Sequence, residues 1–92
     1  MEQQQTEIKE QVRTFILDEL ARRKGITVFS DDESLTENGV VDSLGTFRLV
    51  TFLENNFNVR IADEDIVHEN FRSVREIERF VNGKLNAKAA KA

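Results

Sequence analysis

Ile8, Val12, Phe15, Ile16 and Leu20 fall three or four residues apart, with charged residues filling the positions between them. That period predicts an amphipathic helix over 6–24. Thr6 is a candidate N-cap, although Lys9 stands where a capping box wants Glu or Gln. Arg22, Arg23 and Lys24 fall in the last turn, where cations complement the helix dipole, and Gly25 suits the residue just past the end. The stretch 25–42 has no sustained period and carries turn residues at Ser30, Asp31, Asp32 and Asn38-Gly39. Ile26, Val28, Phe29, Leu35, Val40 and Val41 are spread through it, which predicts a long loop pinned to the core by apolar anchors. Asn38-Gly39 is a hairpin signal, but its flanks do not alternate as strands should.

A second helix is predicted over 43–56, with Leu44, Phe47, Val50, Leu53 and Phe57 as its buried stripe and Leu49 on the edge. Phe52 lies outside that stripe, packing sideways against another helix or partly exposed. Val59 and Ile61 anchor a short extended link, and Asp63 is suited to cap a short helix over 64–67 that ends before Asn70. Ser73 with Glu76 forms a capping box ahead of a last helix over 74–85, whose apolar face is Val74, Ile77, Phe80 and Val81. The ends, 1–5 and 86–92, are expected to be flexible and disordered respectively, which leaves one domain over 6–85. Three main helices and a short one, each with one apolar stripe, predict an all-α fold, a small four-helix bundle with a long loop between its first two helices.

Composition narrows the function. At 92 residues the chain holds one domain, and 39% hydrophobic residues suffice for a core. The absence of cysteine excludes disulfides, thiolate metal sites and cysteine nucleophiles. The absence of proline and only four glycines favour helices. A formal charge of −4 argues against general nucleic-acid binding, including a helix-turn-helix reading, because displacing counterions needs a basic face. No apolar run reaches the length of a membrane span, and the polar start lacks a secretory apolar segment. The reading is a cytoplasmic protein, expected to be a monomer.

Catalytic sets are missing. The single histidine, His68, lies in a polar stretch and reads as solvent-exposed or capping. Zinc has no histidine pair to bind. Aligning Gly39 with the sixth position of an EF-hand loop puts Gly45 where the bidentate glutamate belongs. The cluster Asp31, Asp32, Glu33 reads as a solvated turn with capping capacity. No acid–base or nucleophile set assembles, so an independent enzyme is a poor reading. What stands out is Val40-Val41-Asp42-Ser43-Leu44-Gly45, a serine where the loop meets the second helix. One reading of Ser43 is an ordinary N-cap. The other is a covalent attachment site, at a helix start whose free N–H groups and dipole suit a phosphate.

Asp42-Ser43-Leu44 resembles the Asp-Ser-Leu signature of acyl and peptidyl carrier proteins. Around it, Leu35-Thr36-Glu37-Asn38-Gly39-Val40-Val41 is similar to that family's approach to the serine, and Leu53-Glu54-Asn55-Asn56-Phe57-Asn58-Val59-Arg60-Ile61 to its exit from the second helix. The helix order matches over nearly the whole chain. The resemblance implies a 4'-phosphopantetheine arm on Ser43, donated by coenzyme A through a phosphopantetheinyl transferase. The arm supplies the thiol this chain lacks and carries acyl or aminoacyl groups as thioesters. By the same resemblance Asp42 and Leu44 belong to the attachment site and Leu44, Phe47 and Arg48 meet partner enzymes. A loading ligase or synthase and an acceptor transferase complete the set of partners. Phe47, Leu53, Ile61 and Ile66 are candidates to line an acyl pocket, against the plainer reading that they are core.

The second helix departs from the fatty-acid carriers of this family, which show an acidic face there. Its one acid, Glu54, comes late, and Arg48 stands where an acid is expected. Charge at a docking face sets partner choice, so within the family's range of fatty acid, lipid or specialised metabolite biosynthesis this points to a specialised freestanding carrier serving a dedicated biosynthetic cluster, a modified lipid or envelope component, or aminoacyl transfer. The plainer reading pairs Arg48 with Glu54 or a loop acid. The competing function is a helical interaction module in which Ser43 only caps a helix.

Overall fold

A computed structural model describes residues 2–91, with side chains described over 8–88. Helix α1 spans Glu2–Phe15 and continues as a π-helical turn, Ile16–Ala21, and a 3-10 turn, Arg22–Lys24. Helix α2 spans Ser43–Phe57, α3 is the single turn His68–Phe71 and α4 spans Val74–Lys91, with a 3-10 turn at Asp63–Asp65. No strand occurs among the described residues. The fold is the expected all-helical four-helix bundle. α1 and α4 pack along each other, with α2 against both and α3 against the start of α4.

The apolar stripe explains the π turn. Ile8, Val12, Ile16 and Leu20 are all buried and lie four residues apart. In an α-helix of 3.6 residues per turn such a row drifts by about 40° at each step. The wider turn, in which the Arg22 N–H reaches the Leu17 carbonyl, removes that drift and returns Leu20 to the core beside Ala21. Gly25 closes the helix in the left-handed conformation, φ 76°, as its position predicts.

The loop 25–42 is held from both sides. Phe29, Leu35, Val40 and Val41 are buried and Ile26 is half-buried. Val28 is the exception, 84% exposed and no anchor. The Leu35 N–H donates to the Arg72 carbonyl at 2.8 Å and the Arg75 N–H to the Asp31 carbonyl at 3.0 Å. Asp31 pairs with Lys9 at 3.2 Å and Arg13 at 2.8 Å on α1, while Asp32 pairs with Arg75 on α4. Glu33 accepts from the Ser30 N–H and from Asn38 Nδ2. The acidic cluster is therefore a set of ion pairs and a cap that staple the loop, more than a solvated turn. Among described groups no metal site of three or more His, Cys, Asp or Glu side chains forms.

Several predicted details differ, while Phe52 behaves as one of its two readings expected. Leu49, Val50 and Leu53 form the buried face of α2, while Leu44 and Phe47 point outward at 68% and 70% exposure and Phe57 is half-buried. Phe52 packs sideways, stacked on Phe15 with ring centres 4.3 Å apart. The predicted helix over 64–67 is replaced by the 3-10 turn and α3. Ala62, rather than Asp63, precedes that turn, its N–H bonded to Asp65 Oδ2 at 3.0 Å. Of the predicted capping box at α4, the Glu76 N–H donates to Ser73 Oγ at 3.3 Å, but the Glu76 carboxylate meets the Ser73 hydroxyl instead of its N–H. Finally, α1 begins at Glu2, so Thr6 is interior to it, and its side chain lies outside those described. α4 runs past 85 to Lys91, through Ala and Lys, which are good helix formers.

Candidate functional site

Asp42 is the N-cap of α2, and Ser43 is its first helical residue. The serine therefore does not cap. Asp42 has extended backbone, and its Oδ1 accepts the Gly45 N–H at 2.7 Å. Its carbonyl accepts the Thr46 N–H at 2.8 Å and Thr46 Oγ1 at 3.0 Å. Its Oδ2 accepts from Lys24 Nζ at 2.9 Å, tying the end of the first helical segment to the start of α2. The Lys24 ammonium, with the Gly45 N–H, holds the Asp42 carboxyl below its ordinary range.

Gly45 is buried, and a Cβ there would stand 3.2 Å from Asp42 Oδ1 and 3.6 Å from Leu20 Cδ2. Glycine lets α2 start against Leu20, the residue that the π turn rotates inward. Ser43 is left exposed on a rigid element, with the core at its back. Of the N–H groups in the first turn, that of Gly45 is taken by Asp42. Those of Ser43 and Leu44 have no intrahelical acceptor and form the positive end of the dipole. A phosphodiester on Ser43 Oγ fits this setting: an exposed hydroxyl, free donors beside it and a lysine within reach of the neighbouring carboxylate.

The other predicted residues divide. Leu44 and Phe47 share the exposed side of α2. Arg48 reaches neither Glu54 nor a loop acid: it pairs with Glu19 in the π turn at 3.3 Å. Glu54 accepts the Ile61 N–H at 2.9 Å. Leu53 and Ile61 sit in the closed core, whereas Phe47 opens onto a groove of about 470 Å³ floored by Phe15 and Phe52 and Ile66 is exposed. The four candidate pocket residues are thus split between core and surface. His68 is exposed at the start of α3. No local spacing marks Lys24 or Leu20 for the site, because both reach it only through the fold.

The sequence profile described as "phosphopantetheine attachment site" matches residues 10–81, most of the chain. The chain belongs to this family. It is a carrier protein and not an enzyme, working through thioesters on a covalently bound phosphopantetheine. An acyl carrier protein of Thermosynechococcus vestitus is 32% identical over 83 residues, 90% of this chain and 98% of its own. A D-alanyl carrier protein of Streptococcus uberis is 38% identical over 56 residues, 61% of this chain and 71% of its own. The crystal structure of an acyl carrier protein from Thermotoga maritima shares the carrier's fold, with a TM-score of 0.63 at 24% identity over 87% of this chain and 93% of that one. Carriers of this family work with transferases and ligases. Among the described residues no helix of the carrier is long and apolar enough to cross a membrane.

Proposed function

We propose that Ser43 is the attachment residue and that the carrier serves a dedicated pathway with an acyl or aminoacyl cargo. The observation that carries the attachment is that Asp42 does the capping, which leaves Ser43 exposed at the first position of α2. In the modification, Ser43 Oγ attacks the β-phosphate of coenzyme A, its proton passes to a base of the transferase, and adenosine 3',5'-bisphosphate departs. Asp42 is held in one orientation by Gly45 and Lys24 for the transferase to read. The arm then supplies the thiol that carries the cargo.

The partners follow from this reading. A phosphopantetheinyl transferase, a loading ligase or synthase and an acceptor transferase would meet the carrier at Leu44, Phe47 and the Arg48–Glu19 pair, in the cytoplasm and as a monomer. Arg48, with Glu54 as the lone acid of α2, supports partners other than those of fatty-acid synthesis. The packing of Leu53 and Ile61 in the core supports a cargo that rides outside the bundle. Loading tests the reading. Holo-carrier incubated with a lysate of its source and ATP should gain a hydroxylamine-labile adduct, absent with Ser43→Ala. An adduct that survives hydroxylamine would refute thioester carriage.

A further inference from the structure

Beyond the carrier site, the far end of α2 forms a basic groove. Its volume is about 550 Å³, and Asn58, Val59, Arg60, Lys84, Ala87 and Lys88 line it. α2 has 15 residues, so at 1.5 Å per residue this groove lies roughly 22 Å from Ser43 along the helix. Three cations line it; Lys84 is bonded to Asp65 at 2.8 Å, and Glu54 accepts the N–H of Ile61, the residue after Arg60, at 2.9 Å. The groove's three cations stand in a chain whose formal charge is −4.

Two of the cations are held in place. Lys84 is fixed by Asp65 and lies over the Phe80 ring at 5.6 Å, while Lys88 Nζ donates to the Asn58 carbonyl at 2.7 Å. An ammonium has three donors, so each keeps two to offer. Asn58 takes the left-handed conformation, φ 56°, which turns the chain at the groove's edge. Arg60 is exposed and enters none of the ion pairs among described side chains, so its planar fork is open.

We propose that this groove binds phosphate oxyanions, independently of the arm on Ser43. A guanidinium fork lining one groove with two ammonium groups suits phosphate oxygens. The groove is open and its lysines are partly engaged, so binding relies on several phosphates at once, presented by a soluble polyphosphate or by lipid headgroups. It would hold the carrier by one end, with Ser43 at the other.

The test titrates the full-length chain, ¹⁵N-labelled, with inorganic tripolyphosphate at low salt. Saturable shifts should centre on Asn58, Val59, Arg60, Lys84 and Lys88. Arg60→Gln should weaken binding at least threefold, and Arg60→Gln/Lys84→Gln/Lys88→Gln at least tenfold. Arg60→Gln removes no ion pair among the described side chains and should keep the parent Tm, which guards against loss of fold. Arg22→Gln/Arg23→Gln should change affinity less than twofold. In parallel, the chain is sedimented with phosphatidylglycerol–phosphatidylcholine vesicles and with phosphatidylcholine vesicles alone. Pelleting only with the anionic vesicles, lost in the triple variant, assigns lipid headgroups. Tripolyphosphate binding without pelleting assigns a soluble phosphate. Shifts spread evenly over all surface cations, an Arg60→Gln variant that binds like the parent, or binding in neither arm would overturn the proposal.

Discussion

Lys24 Nζ lies 2.9 Å from Asp42 Oδ2, so the last residue of the first helical segment holds the cap of the second. Asp42 also takes the Gly45 N–H, so one side chain closes the end of the long loop and starts the helix that begins at Ser43. Asp42→Ala removes both bonds and should lower Tm by roughly 4–8 °C. Asp42→Asn keeps a side-chain acceptor for Gly45 and should lose less. Thermal melts by circular dichroism at neutral pH compare the three, and equal losses for Ala and Asn would show that the cap contributes nothing.

Glycine to alanine inside a helix ordinarily gains up to about 1 kcal/mol. Gly45→Ala should not. Its Cβ would stand 3.2 Å from Asp42 Oδ1, an atom already fixed by the Gly45 N–H, with Leu20 and Val41 closing the other sides. The expected Tm is at or below that of the parent. A rise of several degrees would mean that the cap gives way freely.

The loop staples make stability fall in acid. Asp31 is partly desolvated, which raises its pKa. Hydrogen bonds from Lys9 and Arg13 outweigh that, so the group ends below its ordinary value. Asp32 is lowered chiefly by Arg75. A carboxylate with a depressed folded pKa adds stability that is present above its unfolded pKa, about 3.9, and is lost as pH falls through the folded value. Urea midpoints should therefore hold steady from pH 7 to 5 and drop below pH 4. Asp31→Asn should be less stable than the parent at pH 7 and show a flatter drop. Parallel curves for the two would contradict the role of Asp31.

Two phenylalanines of one helix should behave oppositely. Phe52 is half-buried and stacked on Phe15, so Phe52→Ala should cost about 2 kcal/mol in denaturant unfolding. Phe47 is 70% exposed, and Phe47→Ala should stay within about 0.5 kcal/mol of the parent. If Phe47 meets partners, its loss should instead slow loading of the holo-carrier severalfold. Unchanged loading kinetics would remove Phe47 from the docking surface.

Much of this was legible in the sequence. The stripe Ile8, Val12, Ile16, Leu20 and the glycine after it gave the first helix to its end. The anchors Phe29, Leu35, Val40 and Val41 gave a loop tied to the core. Phase failed in α2, where Leu44, Phe47, Leu49, Val50, Phe52, Leu53 and Phe57 are too many apolar residues for one face. Two faces fit, and contact with α1 and α4 chose the one with Leu49. Asp42 and Ser43 are adjacent and both suit a cap, so only backbone geometry could tell which one caps. Arg48 finds Glu19 across 29 residues, and no local spacing encodes such a pair.

We propose that Ser43 carries the arm. The direct measurement is intact mass after incubation with coenzyme A and a broad-specificity phosphopantetheinyl transferase, for the parent and Ser43→Ala, with a known carrier alongside. One added phosphopantetheine on the parent and none on Ser43→Ala, at unchanged Tm, is the predicted result. Modification of Ser43→Ala, or an unmodified parent beside a modified control and with every transferase tried, would contradict it.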